Sequence, residues 1–309
     1  VRNRLLALSG TLCTLCTVLG TAGAVQAPPY SEAVKYADIQ AAYIDEASGM
    51  ADSRENPGIL WIHNDSGDGA YVYGIDRKGV TRAIYLVRHA AASDWEAMSY
   101  GPGPDGKGNF LYLGDIGDNA RARTDTTVYR VPEPKIPSFP SSPEKAKPLL
   151  TEEPTIRRTF QYPDGAHDAE ALMVHPKTGD IYIVTKEVSG AAGVYKFPKE
   201  PEAWWEKNTL TRVGTVTIAN EKHPFPNLVT GGDISPDGTK VILRTYAAAY
   251  ELVLPSDAKE FDVIWSVTPV AIPLPPMRQG ESICYSTDGK TLYTTSEKTP
   301  APLYELKAK

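Results

Sequence analysis

Short apolar runs separated by turn chemistry set the rhythm of this chain. The runs Ile59-Leu60-Trp61-Ile62, Phe110-Leu111-Tyr112-Leu113, Ile181-Tyr182-Ile183-Val184, Val241-Ile242-Leu243 and Leu292-Tyr293-Thr294-Thr295 are rich in β-branched and aromatic residues and too brief for helices. A tight turn precedes each: Asn56-Pro57-Gly58, Asp105-Gly106-Lys107-Gly108-Asn109, Lys177-Thr178-Gly179-Asp180, Pro236-Asp237-Gly238 and Thr287-Asp288-Gly289-Lys290. Ahead of each turn a strand opens on an acidic or small polar residue. The clearest openings are Asp94-Trp95-Glu96-Ala97-Met98 and His167-Asp168-Ala169-Glu170-Ala171-Leu172; Glu46-Ala47-Ser48-Gly49-Met50, Gly232-Asp233-Ile234-Ser235 and Gly280-Glu281-Ser282-Ile283 follow the same plan. Third strands are predicted at 70–75, 127–131, 193–197, 248–254 and 302–306, and fourth strands at 81–87, 155–162, 210–218 and 263–272.

The last repeat therefore lacks an outer strand, while the segment 33–40 precedes the first repeat and has none of its own. Joining the two closes a ring. Repeats of four strands over roughly 50–60 residues specify an all-β fold of the β-propeller kind, whose radial closure leaves few open edges. Five blades is the count, with six as the runner-up because the repeat spacing is uneven. One helix is predicted, at 200–207 with Trp204 and Trp205, and the proline-rich stretch 132–154 reads as an irregular connection.

The opening residues change the picture of where the chain works. Arg2 and Arg4 precede a short apolar run and then Ala22-Gly23-Ala24, which matches a secretory signal over 1–24. That leaves 25–309 as a single propeller domain, exported or extracellular, carrying a formal net charge of −8 and Cys284 alone. One cysteine supports neither an internal disulfide nor a cysteine zinc site. The acidity and the lack of a basic cluster tell against nucleic acid and anionic membranes. The expected state is a monomer acting on a small molecule.

In a ring of repeats, the strand openings converge on the axis. They bring Glu46 or Ser48, Glu96, Asp168 and Glu170, Asp233, and Glu281 together. Several carboxylates in one channel cannot all ionise without counter-charge. A hard cation with oxygen ligands answers this, calcium first and magnesium second, with Glu46, Glu96, Glu170, Asp233 and Glu281 as ligands. The polar residues after the second strands, including Asp65, Asp115, Lys186 and Arg244, are the candidate substrate contacts. Glu96 and Glu170 are the candidate catalytic groups, positioning or deprotonating water. Trp61, Trp95 and Tyr112 are expected to pack between blades. No Gly-x-Ser-x-Gly elbow, His-Glu-x-x-His motif, phosphate loop or dinucleotide fingerprint is present.

The blocks Glu46-Ala-Ser-Gly-Met-Ala51, Leu60-Trp-Ile-His-Asn-Asp-Ser-Gly-Asp68, Asp94-Trp-Glu-Ala-Met98, Leu113-Gly-Asp-Ile-Gly-Asp-Asn119, His167-Asp-Ala-Glu-Ala-Leu172, Thr230-Gly-Gly-Asp-Ile-Ser235 and Gln279-Gly-Glu-Ser282 resemble a family of exported bacterial β-propeller proteins. More distantly, Ser-Gly-Met, Asp-x-Glu-Ala and Gly-Glu-Ser are similar to phytase-like esterase and other phytase-type propellers. That resemblance implies calcium held by channel acids and hydrolysis of phosphomonoesters. Glu96, Glu170 and Glu281 match the acidic positions, and Lys186 and Arg244 stand as phosphate contacts. The leading expectation is an exported, calcium-binding propeller hydrolysing a phosphorylated or other small substrate. The alternatives are a non-catalytic binding module with a structural cation, and a glycan-processing enzyme with isolated carboxylates at a cleft.

Overall fold

The structure is a computed structural model that describes residues 29–136, 147–188, 191–199, 206–218 and 228–309. Five sheets surround one axis, each an up-and-down meander from an inner strand outward. The inner strands are Ala47–Asp52, Trp95–Gly101, Ala169–Val174, Val229–Ile234 and Gly280–Tyr285. Each lies against the next, and the fifth returns to the first, so the ring is a closed five-bladed propeller. The ring is fastened as the orphan segment implied. Val34–Asp38 pairs antiparallel with Pro302–Lys307 and becomes the outer strand of the fifth blade.

The alternation that defines a strand here places side chains on both faces of every sheet, and both faces are covered by the neighbouring blade. One apolar cluster consequently fills each seam. Trp61, Trp95 and Tyr129 lie between the first and second blades; Tyr112, Phe160 and Leu172 between the second and third; Met173, Tyr182 and Trp265 between the third and fourth. Ile242, Ile283 and Tyr285 join the fourth to the fifth, and Met50, Ile62 and Leu303 join the fifth to the first. Trp61 and Trp95 are packing residues as expected, with Trp61 Nε1 donating to Glu133 Oε1 at 2.8 Å and Trp95 Nε1 to the Ala91 carbonyl at 2.9 Å. The Asp-Gly turns take the left-handed backbone that glycine tolerates, with φ of 75° at Gly106, 72° at Gly238 and 70° at Gly289.

Three local expectations are revised or lie elsewhere. The predicted strand 263–272 divides into a 3-10 helix at Phe261–Ser266 and a strand at Val270–Pro273, because Ile264 and Trp265 turn inward together onto the third-blade seam. Within the proline-rich connection, Leu149–Leu150 adds a short parallel strand to the edge of the first blade. The predicted helix falls on 200–207, of which 200–205 lie outside the described residues, as do the signal residues 1–24.

Candidate functional site at the axial mouth

A β-bulge interrupts every inner strand at its first turn of pairing. The register skips Ser48 between Ala47 and Gly49, Glu96 between Trp95 and Ala97, and Glu170 between Ala169 and Ala171. It skips Thr230 between Val229 and Gly231, and slips again between Gly280 and Ile283, around Glu281 and Ser282. An unpaired extra residue bends the strand and re-aims its side chain. Repeated in each blade, the bulge sets Ser48, Glu96, Glu170, Thr230 and Glu281 at equivalent places around one end of the channel. All five residues are buried.

Above this ring stand the residues that end the second strands or precede the first. Oxygen atoms of Asp65, Asp94 and Glu96 all lie within 4.8 Å of one another. Two ligand oxygens on one calcium ion, each about 2.3–2.6 Å from it, span at most about 5 Å, so the set fits a single hard cation. Gly117 makes room for it: a Cβ there would lie 2.7 Å from Glu96 Oε1 and closer still to Asp94 Oδ2. Asp115 is buried and accepts the Asp94 amide at 3.0 Å while pairing with Arg123 at 2.8 Å. It therefore positions the Asp94 backbone and does not face the mouth.

Crowding shows in the acid strengths. Burial, followed by repulsion from Glu170, Asp65 and Asp94, pushes the Glu96 carboxyl well above the usual range. Burial and then Asp65 raise Asp94 to about 6. Glu281 is raised by burial and by Glu170. Glu170 is pushed up by burial and held back by Lys186, and settles at about 7. Lys186 contacts Glu170 Oε1 directly and lies 5.5 Å from the centre of the Tyr246 ring. Two buried carboxylate oxygens, Glu170 Oε2 and Glu281 Oε2, have no hydrogen-bond partner among the described residues. Acceptors left so are costly, and cluster where a ligand or ion completes them.

The remaining sequence candidates are elsewhere. Glu46 precedes the bulge, and its half-exposed side chain pairs with Lys298 at 3.2 Å; Ser48 occupies the axial place and donates to the Glu96 carbonyl at 2.7 Å. Asp233 lies three residues past the bulged Thr230, toward the opposite end of the channel. There it accepts the amides of Ile234 at 2.8 Å and Tyr285 at 2.9 Å, so it fastens the fourth blade to the fifth. Arg244 is fully buried beneath Gly280, donating to Thr294 Oγ1 at 2.6 Å, and is out of a substrate's reach. Asp168 accepts the Asp118 amide at 2.8 Å across the second seam. Asp65, read as a substrate contact, lies in the close group of carboxylates with Asp94 and Glu96. Asp94 and Thr230 were missed as site residues. Asp94 was legible as the first acid of Asp-x-Glu; Thr230, uncharged and placed by a one-residue bulge, carried no such signal.

No family model and no curated protein matches this chain. Among solved structures, a gluconolactonase from Xanthomonas campestris is similar at 12% identity and a TM-score of 0.48, over 90% of this chain and 89% of that one. A candidate 6-phosphogluconolactonase from Bacteroides uniformis gives 12% and 0.40, over 83% and 66%. The hydrazine synthase of Kuenenia stuttgartiensis gives 14% and 0.39, over 82% and 56%. Such distant likenesses, to proteins of different chemistry, carry nothing about what this chain does.

Proposed function

We propose that the protein is a divalent-cation-dependent hydrolase of small oxygen esters, with calcium at the axial mouth. The observation that carries the reading is the meeting of Asp65, Asp94 and Glu96 within 4.8 Å beside two buried, unpartnered carboxylate oxygens. An all-oxygen donor set suits calcium or magnesium rather than a softer metal. When bound, the cation supplies charge that polarises an ester oxygen and makes nearby water easier to deprotonate.

The chain's own residues divide the rest of the work. Asp65, Asp94 and Glu96 hold the ion. Glu170, with an acidity near neutral, is the group that accepts and returns a proton at its free oxygen. Lys186 keeps Glu170 in place and is the positive charge nearest to a developing oxyanion. A phosphomonoester remains within the proposal, with Lys186 as the cation in direct contact with Glu170 once Arg244 is set aside. Export belongs to the same reading: it rests on the opening 1–24, and calcium outside cells suits an oxygen site of modest affinity.

A second reading has its own support. Asp65 comes from the first blade and Asp94 with Glu96 from the second, so an ion there ties two blades together. A non-catalytic module with a structural cation would look the same. Metal analysis and melting with and without chelator test the ion. A panel of phosphate, carboxylic and cyclic esters with Glu170→Gln then separates the readings. Calcium-dependent turnover lost in the variant supports the enzyme. Stoichiometric calcium with no turnover leaves the structural cation. No bound cation overturns both.

A further inference from the structure

Charge decides which esters can enter the mouth, and its balance closes residue by residue. A divalent cation held by Asp65, Asp94 and Glu96 carries two positive charges against three carboxylates, so the ion site keeps one negative charge in excess. Lys186 is matched by Glu170, which it contacts. Arg244 is matched by Glu281, whose charge opposes the burial that lowers the guanidinium to about 10. Arg123, whose charge reaches Asp94, pairs with both Asp115 at 2.8 Å and Asp125 at 3.1 Å. Lys298 at the rim is shared by Glu46 at 3.2 Å and Glu297 at 3.1 Å. These four cations leave no positive charge over. Glu170 and Glu281 are each 3% exposed, with one oxygen unpartnered among the described residues, so neither hydrogen bonds nor salt screens that oxygen well.

We propose that the substrate of this mouth is an uncharged carboxylic ester, and that anionic esters, phosphomonoesters included, are turned away by its field. The inference rests on the cation reading and narrows it. A phosphomonoester brings about two negative charges to a buried site that already holds an excess of one, where like charges repel more strongly than in water. A carboxylic ester brings none. Tyr246 supplies it with a donor that is also uncharged. The half-buried Tyr246 ring lies 5.5 Å from the Lys186 ammonium, and burial, followed by the charges of Glu281 and Glu170, keeps its hydroxyl protonated. The ester carbonyl oxygen accepts that hydrogen bond. Glu170 takes a proton from water as the water oxygen bonds to the acyl carbon, and returns it to the leaving oxygen as the acyl–oxygen bond breaks. The products are an alcohol and a carboxylic acid, which ionises and is then repelled by the same field.

The test compares 4-nitrophenyl butyrate with the 4-nitrophenyl half-ester of succinate, an anion of similar size, and with 4-nitrophenyl phosphate, on the calcium-loaded protein. Butyrate is expected to be favoured over the half-ester by at least about tenfold in kcat/KM, with the ratio falling as salt is raised, and the phosphate to be left intact. Glu281→Gln leaves the Arg244 charge unmatched and should narrow the preference by about fivefold. A half-ester hydrolysed as fast as butyrate, turnover of the phosphate, or a preference unmoved by both salt and Glu281→Gln each overturns the proposal. A second readout needs no turnover: inorganic phosphate, titrated by calorimetry into the calcium-loaded protein, is expected to show no binding up to about 1 mM. Phosphate binding that requires calcium and is lost in Asp94→Asn with Glu96→Gln overturns the proposal, whether or not any ester is hydrolysed. Inert esters with no phosphate binding overturn the hydrolase reading, and the ester with it, while the exclusion of anions stands.

Discussion

The two ends of the channel are built from the same residue types and come to opposite states. At the far end, Asp233 receives the amides of Ile234 and Tyr285, and Asp52 receives the Thr287 amide at 2.8 Å with Arg77 paired beside it. Each of these two carboxylates takes a backbone amide from a neighbouring blade, so it works as a joint. At the bulged end, Asp65, Asp94 and Glu96 crowd together beside Glu170 and Glu281, Lys186 contacts Glu170, and two carboxylate oxygens have no partner among the described residues. A buried acid that the fold itself satisfies is architecture; a set that repels itself is held there against its own preference. The bulge decides between them, since it turns a side chain away from the ladder that would otherwise occupy its neighbours.

The sharpest way to break this contrast is to empty the mouth of its ligand oxygens. Asp94→Asn combined with Glu96→Gln should abolish calcium stabilisation altogether. At a hundred times the dissociation constant that stabilisation is about 2.7 kcal/mol, or about 5 °C for a domain of this size. The same variant, melted in chelator, should be as stable as the parent or more so, because repulsion is relieved. A double variant that still gains several degrees from calcium would move the ion elsewhere.

The reverse effect is expected at the far end. Asp233→Ala removes the acceptor of two backbone amides at a blade seam and should cost about 2 kcal/mol. Its calcium response should be unchanged. Chemical denaturation with and without calcium checks both, and a lost calcium response would erase the distinction between the two ends.

The pH dependence follows from the crowding, and its sign is definite. Asp94 and Glu170 have folded acidities of about 6 and about 7, raised chiefly by burial above the ordinary carboxylate range. Their contribution to stability is complete at low pH, where both folded and unfolded forms are protonated, and is lost as pH rises through those values. The metal-free protein should therefore melt progressively lower between about pH 4 and about pH 7. Calcium stabilisation should grow over the same interval, because the ion favours the ionised forms. Asp233, at about 7 through burial opposed by its two amides, adds to the fall without responding to calcium. Melting curves flat across this interval would mean that the mouth is not strained.

Much of the ring was legible because each blade repeats a local signal. Asp-Gly turns and short β-branched runs fix the strands, and the missing fourth strand of the last repeat pointed to the closing role of Val34–Asp38. The bulges were not legible. A one-residue offset moves a side chain to the other face, and no composition marks it. Asp233 was therefore aligned with Glu96 and Glu170 on the strength of its charge, while uncharged Thr230 occupied the equivalent position. Arg244 misled for a related reason: the sequence shows a cation after a strand, but not the Gly280 backbone that lies over it. The 3-10 helix escaped because an apolar run is equally compatible with an outer strand.

The smallest expected effect sharpens where the mouth ends. Glu46 lies outside the bulge, half-exposed and paired with Lys298, yet its charge is among those that raise Asp65. An exposed pair of this kind contributes at most about 1 kcal/mol, so Glu46→Gln should leave stability within about 0.5 kcal/mol of the parent. If Glu46 acts on the ion only through the field at Asp65, calcium affinity should fall by no more than about threefold, and less at high salt. A fall as deep as that of Asp94→Asn would make Glu46 a direct ligand and extend the site from the buried ring to the rim. Titration of calcium into both variants at low and high ionic strength separates the two, because a coordinated oxygen is little screened by salt and a distant charge is screened almost entirely.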